Sequence, residues 1–298
     1  MPSKRLIGFL LIAAAGILWG GMGTAVQHLF SVDRAISPLG LVTLRQLAAG
    51  TVFVLILALA SPKRAFSVFR SPKIFGEVAL SGVLLLSAHY TFFEAIYYSN
   101  AGTGAILLTL VPLLAGGWIA FRTGEKMTAV ELFCFLLAAS GVALIMTNGD
   151  FGALRFSPLA IAWGLVSAAA GAAYSIQPLK VIREIGVAPV VAWGLVAGGL
   201  CASLFSPPWL VHMDWTLEGT LSFGYIVLFG TVAAFWCYLS GLKWISPVVA
   251  GLLNCLEPLS AFFFSIVLLG DRIGAVQAIG IALVVSNVAL LALAKGRR

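Results

Sequence analysis

Ionisable and strongly polar side chains interrupt the long apolar stretches of this 298-residue chain at only a few positions. They are an arginine, a histidine, two glutamates and an asparagine: Arg45, His89, Glu94, Asn254 and Glu257. Charged groups within a lipid bilayer are costly, and they usually face a cavity or pair with one another. The chemistry open to this set is recognition of charged small molecules or transfer of protons.

Arg45 is a candidate for binding a substrate carboxylate. Its planar guanidinium offers parallel donors that fit a carboxylate in bidentate geometry. An internal salt bridge with Glu94 and capping of carbonyl groups in a broken helix are the alternatives. His89 titrates near neutrality and could relay a proton, or it could be a hydrogen-bonded residue between helices.

Glu257 follows Asn254 by three residues and directly precedes a proline, Pro258. A proline inside a helix removes one backbone hydrogen bond and frees a carbonyl in the preceding turn. We therefore expect Asn254 and Glu257 to share a helix face beside free acceptors in a cavity. The carboxylate there would bind a substrate ammonium group or carry a proton. A structural hydrogen bond to a neighbouring helix is the alternative.

Aromatic residues are further candidates for a binding pocket. Tyr90, Glu94 and Tyr97 share one helix face because they are spaced by four and three residues. Among the deeper aromatic residues, Trp163 and Tyr174 are the favoured pair, three helical turns apart. Such rings bind flat or cationic solutes by stacking and cation–π contact. Helix packing or contact with lipid is the alternative for each ring.

The elements that must position these residues are membrane-spanning helices. Hydrophobic residues make up 61% of the chain and charged residues 10%, compared with about 25% charged residues in an average soluble domain. The apolar residues occur in runs of about 20, the length that crosses a bilayer. We predict an all-α polytopic membrane protein with ten transmembrane helices. The predicted spans are 6–28, 36–60, 75–98, 101–121, 128–147, 157–179, 187–206, 219–241, 246–268 and 273–294.

The distribution of lysine and arginine predicts the orientation of these spans. Fourteen of the 18 basic residues lie in alternate polar segments beginning with the N-terminus, three lie in the other segments, and Arg45 lies within a span. Cytoplasmic loops carry the excess of positive charge. We expect a multi-pass protein of a bacterial-type inner membrane with both termini cytoplasmic. The net charge of +7 reflects these helix ends and does not indicate a nucleic-acid partner.

The sequence repeats itself at an interval of 146 residues. Residues 98–148 align without gaps with the stretch 146 residues later, which pairs Pro112 with Pro258 and Glu125 with Asp271. Apolar composition alone would match some positions by chance, but it would not align the proline and the acidic loop in one register. The repeat therefore predicts two related units.

These units are predicted to be two five-helix halves, 1–148 and 149–298. Because five is odd, the halves would enter the membrane from opposite sides. Inverted repeats with interrupted helices are typical of secondary transporters, which build a site near the midplane that opens to either side. Pro112 and Pro258 are then the expected hinges beside a central cavity.

One long segment resembles a known transporter family. It reads "FFEAIYYSNAGTGAILLTLVPLLAGGWIAFRTGEKMTAVELFCFLLAASGVAL". An aromatic-rich third span, a short "SNAGTGA" hairpin, a mid-helix proline, a "GE" loop and a "G-V-x-L" ending are similar to the EamA branch of the drug/metabolite transporter superfamily. "LWGG" at 18–21 and "LRQLAAG" at 44–50 extend the resemblance to the first two spans. The second half departs from the pattern by having "GDR" in its loop.

The resemblance implies a ten-helix basket around a central cavity and outward movement of small organic solutes. Within the branch, the chain is most similar to exporters of aromatic amino acids. We therefore expect a secondary transporter that exports aromatic and other neutral amino acids and related metabolites by alternating access. A broader drug and metabolite exporter is the alternative within transport. Proton coupling and downhill flux are both compatible with the sequence.

Other classes of function have less support. The chain has no HExxH or GxSxG motif, every aspartate lies in a predicted loop, and no nucleotide-binding loop GxxxxGK[ST] is present. The four cysteines lie in apolar runs without metal-binding spacing. We expect no catalytic residue, cofactor or metal. A membrane-embedded enzyme and a channel or scaffold are the alternatives.

Overall fold

A computed structural model shows that the described part of the chain is helical, with no strand. The described residues are 4–99, 104, 107–124, 127–150, 152, 157–269 and 274–294. The helices are α1 (Lys4–Val32), α2 (Pro38–Ala60), α3 (Pro62–Ala65), α4 (Pro72–Tyr97), α5 (Val111–Thr123), α6 (Ala129–Thr147), α7 (Pro158–Ile176), α8 (Leu179–Ile185), α9 (Val187–Ser203), α10 (Leu217–Val227), α11 (Ala234–Gly241), α12 (Pro247–Leu253), α13 (Leu256–Leu269) and α14 (Ala275–Ala294).

Several of these helices are long and apolar enough to cross a membrane. Within the described ranges five segments meet this criterion: Lys4–Val32, Pro38–Ala60, Pro72–Tyr97, Pro158–Ile185 and Leu217–Gly241. Shorter apolar helices cover Ala129–Ile145, Val187–Ser203, Val249–Phe264 and Ala275–Asn287. The prediction of an all-α membrane protein is confirmed at this level. The acidic pair of the repeat, Glu125 and Asp271, lies outside the described residues.

Serine or threonine residues begin many of these helices. Ser37, Ser71 and Ser157 each accept a hydrogen bond from a backbone amide three residues later, and a proline follows each of them. A side-chain oxygen satisfies an amide that has no partner within the helix, while proline has no amide to satisfy. The Ser-Pro dipeptides that the sequence shows at several breaks are therefore helix starts.

The predicted fourth span, 101–121, is interrupted before its proline. Residues 107 and 108 are helical, and Thr109 and Leu110 form a turn in which the Leu110 amide donates to the Leu107 carbonyl at 3.1 Å. α5 then begins at Val111, so Pro112 lies in its first turn. A proline is tolerated there because its missing N–H would have had no partner in the helix. Residues 100–103 of the predicted hairpin lie outside the described residues.

The predicted ninth span, 246–268, is interrupted in the same way. Between α12 and α13 the Asn254 amide is shared by the carbonyls of Ala250 (3.0 Å) and Gly251 (3.2 Å). The Glu257 amide donates to the Asn254 carbonyl at 2.9 Å. Pro258 therefore also lies in the first turn of a helix, and Glu257 immediately precedes it.

The two breaks are in contact with each other. A Cβ atom added to Gly251 would lie 3.1 Å from the Cβ atom of Pro112. The interruptions of two distant segments thus lie side by side in the protein interior. Residues of both breaks line one cavity, which is the candidate site.

Most of the extensive helix pairs join the N-terminal part of the chain to the C-terminal part. α1 packs on α10, α11 and α13, α2 on α9, α4 on α7 and α9, and α6 on α14. Glycines allow close approach at the α4–α9 crossing, where a Cβ atom on Gly82 would lie 2.9 Å from the Gly198 amide nitrogen. Small residues at such crossings let two backbones touch.

A π-helical turn, Leu228–Ala233, joins α10 to α11. The Thr231 hydroxyl donates to the Ile226 carbonyl, five residues earlier, at 2.6 Å. Gly230 in this turn faces α1, because a Cβ atom added there would lie 2.7 Å from the Cβ atom of Met22. π-helical turns are rare and often occur near functional sites.

Candidate functional site: a cavity at the two helix breaks

A partly open cavity lies where the two breaks meet α1, α4, α7 and α11. The space in and around it that protein atoms do not fill is about 930 Å³, which includes the open region at its mouth. Six of the eleven residues singled out from the sequence line it. They are His89, Pro112, Tyr174, Asn254, Glu257 and Pro258.

Glu257 and Asn254 bring polar groups to this mostly apolar cavity. Glu257 is half-buried in the first turn of α13, where the partial positive charge of the helix N-terminus favours a carboxylate. The Asn254 side-chain oxygen is buried and has no hydrogen-bond partner. Buried polar atoms are normally paired. An unpaired acceptor beside a carboxylate suits a ligand that donates hydrogen bonds, such as an ammonium group.

Aromatic side chains form one wall of the cavity. The ring centre of Trp19 lies 5.1 Å from that of Phe235 and 5.0 Å from that of Tyr238. Tyr174 contacts Phe235 at 5.8 Å between ring centres, and the Tyr238 and Ser175 hydroxyl oxygens are 2.7 Å apart. The indole nitrogen of Trp19 is buried without an acceptor. The wall therefore offers ring faces and one free donor.

Sequence reasoning did not select all the residues of this wall. Trp19 was not among the favoured aromatic residues, and Phe235 and Tyr238 were not named as site residues. Phe235 and Tyr238 are three residues apart on α11, and this shared helix face is the signal that could have identified them.

His89 lines the cavity. Its Nδ1 atom lies 3.0 Å from the Leu85 carbonyl on the preceding turn of α4. A carbonyl can only accept a hydrogen bond, so Nδ1 carries the proton, and in the neutral ring Nε2 is left as an acceptor. The ring also meets Phe235 at 5.3 Å between ring centres. Its backbone partner is on its own helix rather than on a neighbouring one.

Arg45 lies beside the cavity and does not line it. The side chain is fully buried and lies against Met22, Phe93 and Thr231. Glu94 does not approach it within ion-pair distance. Within the described residues the ion pair found is between His28 and Glu218, at 3.9 Å.

The other four candidates lie away from the cavity. Tyr90 and Trp163 contact one another, with ring centres 5.7 Å apart, where α4 packs on α7. Tyr97 is 59% exposed at the end of α4 and contacts Phe30 at 6.1 Å between ring centres. Glu94 is half-buried on the turn before Tyr97. The structure thus separates the predicted residues into a cavity group and a group toward the end of α4.

Known proteins resemble the chain over almost its whole length. The uncharacterized inner membrane transporter YicL of Salmonella typhimurium (strain LT2) is 32% identical over 292 residues, which cover 98% of this chain and 97% of YicL. The uncharacterized inner membrane transporter YedA of Escherichia coli (strain K12) is 25% identical and covers 96% of this chain and 91% of YedA. The uncharacterized transporter YwfM of Bacillus subtilis (strain 168) is also 25% identical, over 96% of this chain and 93% of YwfM.

A solved crystal structure shares the fold. It aligns with a TM-score of 0.79 and 21% sequence identity, over 99% of this chain and 98% of the other. The EamA-like transporter family matches the chain twice, at residues 6–147 and 158–293. Homologues that share this family are named as inner membrane transporters. From the family match over both parts of the sequence and the 32% identity to YicL, the chain belongs to the EamA-like transporter family, in the drug/metabolite transporter superfamily.

Proposed function

We propose that this protein is a secondary exporter of amino acids, aromatic and other neutral ones, and of related small metabolites. The observation that carries the proposal is the cavity at the two breaks, which is lined by Glu257, by Asn254 with its unpaired side-chain oxygen, and by several aromatic residues. The acceptors suit the ammonium group of an amino acid. The rings of Trp19, Tyr174 and Tyr238 suit an apolar or aromatic side chain.

Transport by alternating access needs two units that move against each other. We propose the halves 1–148 and 149–298, inverted in the membrane, with both termini cytoplasmic. Three findings support this division. The family match falls in two parts, at 6–147 and 158–293, the sequence repeats at an interval of 146 residues, and the helix pairs follow the same symmetry.

Helix contacts that the proposed repeat makes equivalent occur together in the structure. If the repeat holds, α1 corresponds to α7, α4 to α10 and α11, and α5 to α13. The pair of α1 with α13 then corresponds to that of α7 with α5, and the pair of α4 with α7 corresponds to that of α1 with α11. All of these pairs occur. Rocking of one half on the other would bend the chain at the breaks beside Pro112 and Pro258.

The four candidate residues outside the cavity also fit a transporter, at a position nearer the outer side of the membrane. With the orientation proposed from the basic residues, Glu94, Tyr97, Tyr90 and Trp163 lie in the outer part of α4 and α7. We assign them to the path by which substrate leaves toward the outside. The assignment rests on the shared end of α4 for Tyr90, Glu94 and Tyr97, on the contact of Trp163 with Tyr90, and on the exposure of Tyr97.

Reconstituted transport tests the proposal. Full-length protein in liposomes is expected to carry labelled phenylalanine, tryptophan, threonine or methionine faster than empty liposomes. Absence of flux for all four would refute the amino acid substrate, and flux of organic cations instead would favour the broader drug exporter. Repeating the assay with an imposed pH gradient distinguishes proton-coupled transport from downhill flux, since only proton-coupled transport responds to the gradient at constant membrane potential.

A further inference from the structure

Arg45 carries an open hydrogen-bonding edge inside the protein. The side chain is 0% exposed. Its Nη1 atom makes two long contacts of 3.5 Å, with the sulfur of Met22 and with the hydroxyl of Thr231. Its Nε and Nη2 atoms are buried and have no hydrogen-bond partner. The guanidinium also lies over the Phe93 ring, 5.3 Å from the ring centre.

This open edge has the shape that a carboxylate requires. Nε and Nη2 lie on one side of the planar guanidinium, and their N–H bonds point in nearly the same direction. Two parallel donors match the two oxygens of a carboxylate, and such charge-assisted pairs are strong. A buried cation without an anion costs stability, and a carboxylate that reaches it would offset this cost.

Met22 connects the arginine to the cavity. Its side chain lines the cavity and touches Arg45. Methionine is unbranched and has three rotatable bonds, so it moves more readily than a β-branched residue would. Because Met22 covers Nη1, a change of its rotamer would uncover the end of the guanidinium formed by Nη1 and Nη2 to the cavity.

The arginine and Glu257 both lie beside the same segment of α1. Arg45 contacts Met22, and the backbone of Glu257 lies against Gly20 and Gly16, two and six residues earlier on α1. Two to six residues correspond to about 3–9 Å along a helix axis. A cationic and an anionic group therefore approach neighbouring levels of α1.

We propose that Arg45 is the carboxylate-binding subsite of the transporter, closed by Met22 in the present conformation and opened to the cavity when Met22 turns away. The proposal rests on the proposed function and names its substrate class. The ligands are molecules that carry both an ammonium group and a carboxylate, rather than simple amines. Glu257 receives the ammonium group and Arg45 the carboxylate.

Competition in proteoliposomes tests the subsite during transport. Phenylalanine is expected to compete with labelled phenylalanine more strongly than 2-phenylethylamine, which lacks the carboxylate. In Arg45→Lys the charge stays but the parallel edge is lost, so we expect competition by phenylalanine to weaken about tenfold or more, while competition by the amine is unchanged. Met22→Ala removes the barrier and is expected to lower the KM for phenylalanine. Unchanged discrimination in both variants would overturn the subsite.

A binding measurement keeps the test independent of transport. Phenylacetate, a carboxylate without an ammonium group, is expected to raise the melting temperature of the purified protein and to raise it further in Met22→Ala. The uncharged 2-phenylethanol is the matched control. Arg45→Met is expected to abolish the phenylacetate effect without lowering the melting temperature of the free protein, because it removes an unpaired buried charge.

The two measurements distinguish the possible failures. If no amino acid is transported but phenylacetate binds through Arg45, the proposed function fails and the carboxylate subsite stands. If amino acids are transported but phenylacetate stabilises wild type and Arg45→Met equally, the subsite is wrong. A purely structural role for the arginine predicts that Arg45→Met lowers the melting temperature while phenylacetate stabilises the variant as much as wild type, and this result would also reject the proposal.

Discussion

The carboxylate of Glu257 lies both at a helix N-terminus and at the wall of the cavity. It lies in the first turn of α13, directly after the break that follows Leu253. The helix N-terminus favours its negative charge, while the cavity leaves it open to a cationic partner. A shared proline produces this break in both parts of the chain, but Pro112 is preceded by Val111. The glutamate is therefore specific to one of the two breaks.

Replacing this glutamate tests its part in binding the ammonium group. Glu257→Gln keeps the size of the side chain and removes its charge, so we expect amino acid flux in liposomes to fall about tenfold or more, because the hydrogen bond to the ammonium group is no longer made by a carboxylate. Expression and melting temperature should change little. Glu218→Gln is the matched control, since Glu218 is exposed and away from the cavity. Equal flux in the two variants would remove Glu257 from the site.

The sequence was more informative about polar site residues than about aromatic ones, since Tyr174 alone of the tyrosine and tryptophan candidates lines the cavity. Asn254, Glu257 and His89 stand out because a polar group inside an apolar run is costly and needs a reason. Phe235 and Tyr238 do not stand out, because aromatic side chains face lipid, neighbouring helices and cavities alike. The direction in which Arg45 points depends on the rotation of α2 about its axis. Because α2 is apolar nearly all round, its sequence has no periodicity from which this rotation could be predicted.

At the scale of helices, the close contact between α4 and α9 requires a glycine at position 82. Gly82→Ala would place a methyl group 2.9 Å from the Gly198 amide nitrogen, a backbone atom that cannot turn aside. We expect this substitution to lower the free energy of unfolding by about 1–3 kcal/mol, measured as a lower melting temperature in detergent.

Gly76 provides the control on the same helix. A Cβ atom added there would meet nothing within 4 Å, and alanine is the better helix former by about 1 kcal/mol. Gly76→Ala is therefore expected to keep or raise the melting temperature. If both substitutions have the same effect, close packing at this crossing does not determine stability.

The helix breaks were only partly predictable. The prolines predicted interruptions in two spans, and the structure has a break before each proline. In both cases the proline lies in the first turn of the second helix rather than at a bend of a continuous one, since proline is best tolerated there. The π-helical turn at Leu228–Ala233 carries no such signal, because no proline or polar pattern accompanies it in the sequence.

At the scale of the whole molecule, inverted halves require an odd number of spans before the midpoint of the chain. We expect alkaline phosphatase fused after Asp150 to be active in a bacterial host, because five spans would place that loop outside. The same enzyme fused to the C-terminus should be inactive, and a fluorescent protein fused there should be bright. Activity of alkaline phosphatase at the C-terminus, or its absence after Asp150, would contradict the inverted arrangement.

The helical, membrane-spanning class of the protein was more predictable than the site, because the apolar runs that indicate it involve most of the chain. The repeat of 146 residues and the distribution of basic residues also predict the number, order and orientation of the spans, and these stay predictions. The cavity depends on a few contacts, such as that between Gly251 and Pro112, and on which face each helix turns inward. Those details depend on side-chain packing and leave little trace in composition.

The π-helical turn has a consequence for the length of this segment in related proteins. Such a turn holds one residue more than the α-helix it interrupts. Losing one residue from Leu228–Ala233 would leave an unbroken helix with Phe235 and Tyr238 still facing the cavity, whereas the same loss within α2 would rotate everything beyond it by about 100°. Single-residue deletions should therefore be tolerated in this turn. Their main effect should be the loss of the contact between the Thr231 hydroxyl and Arg45.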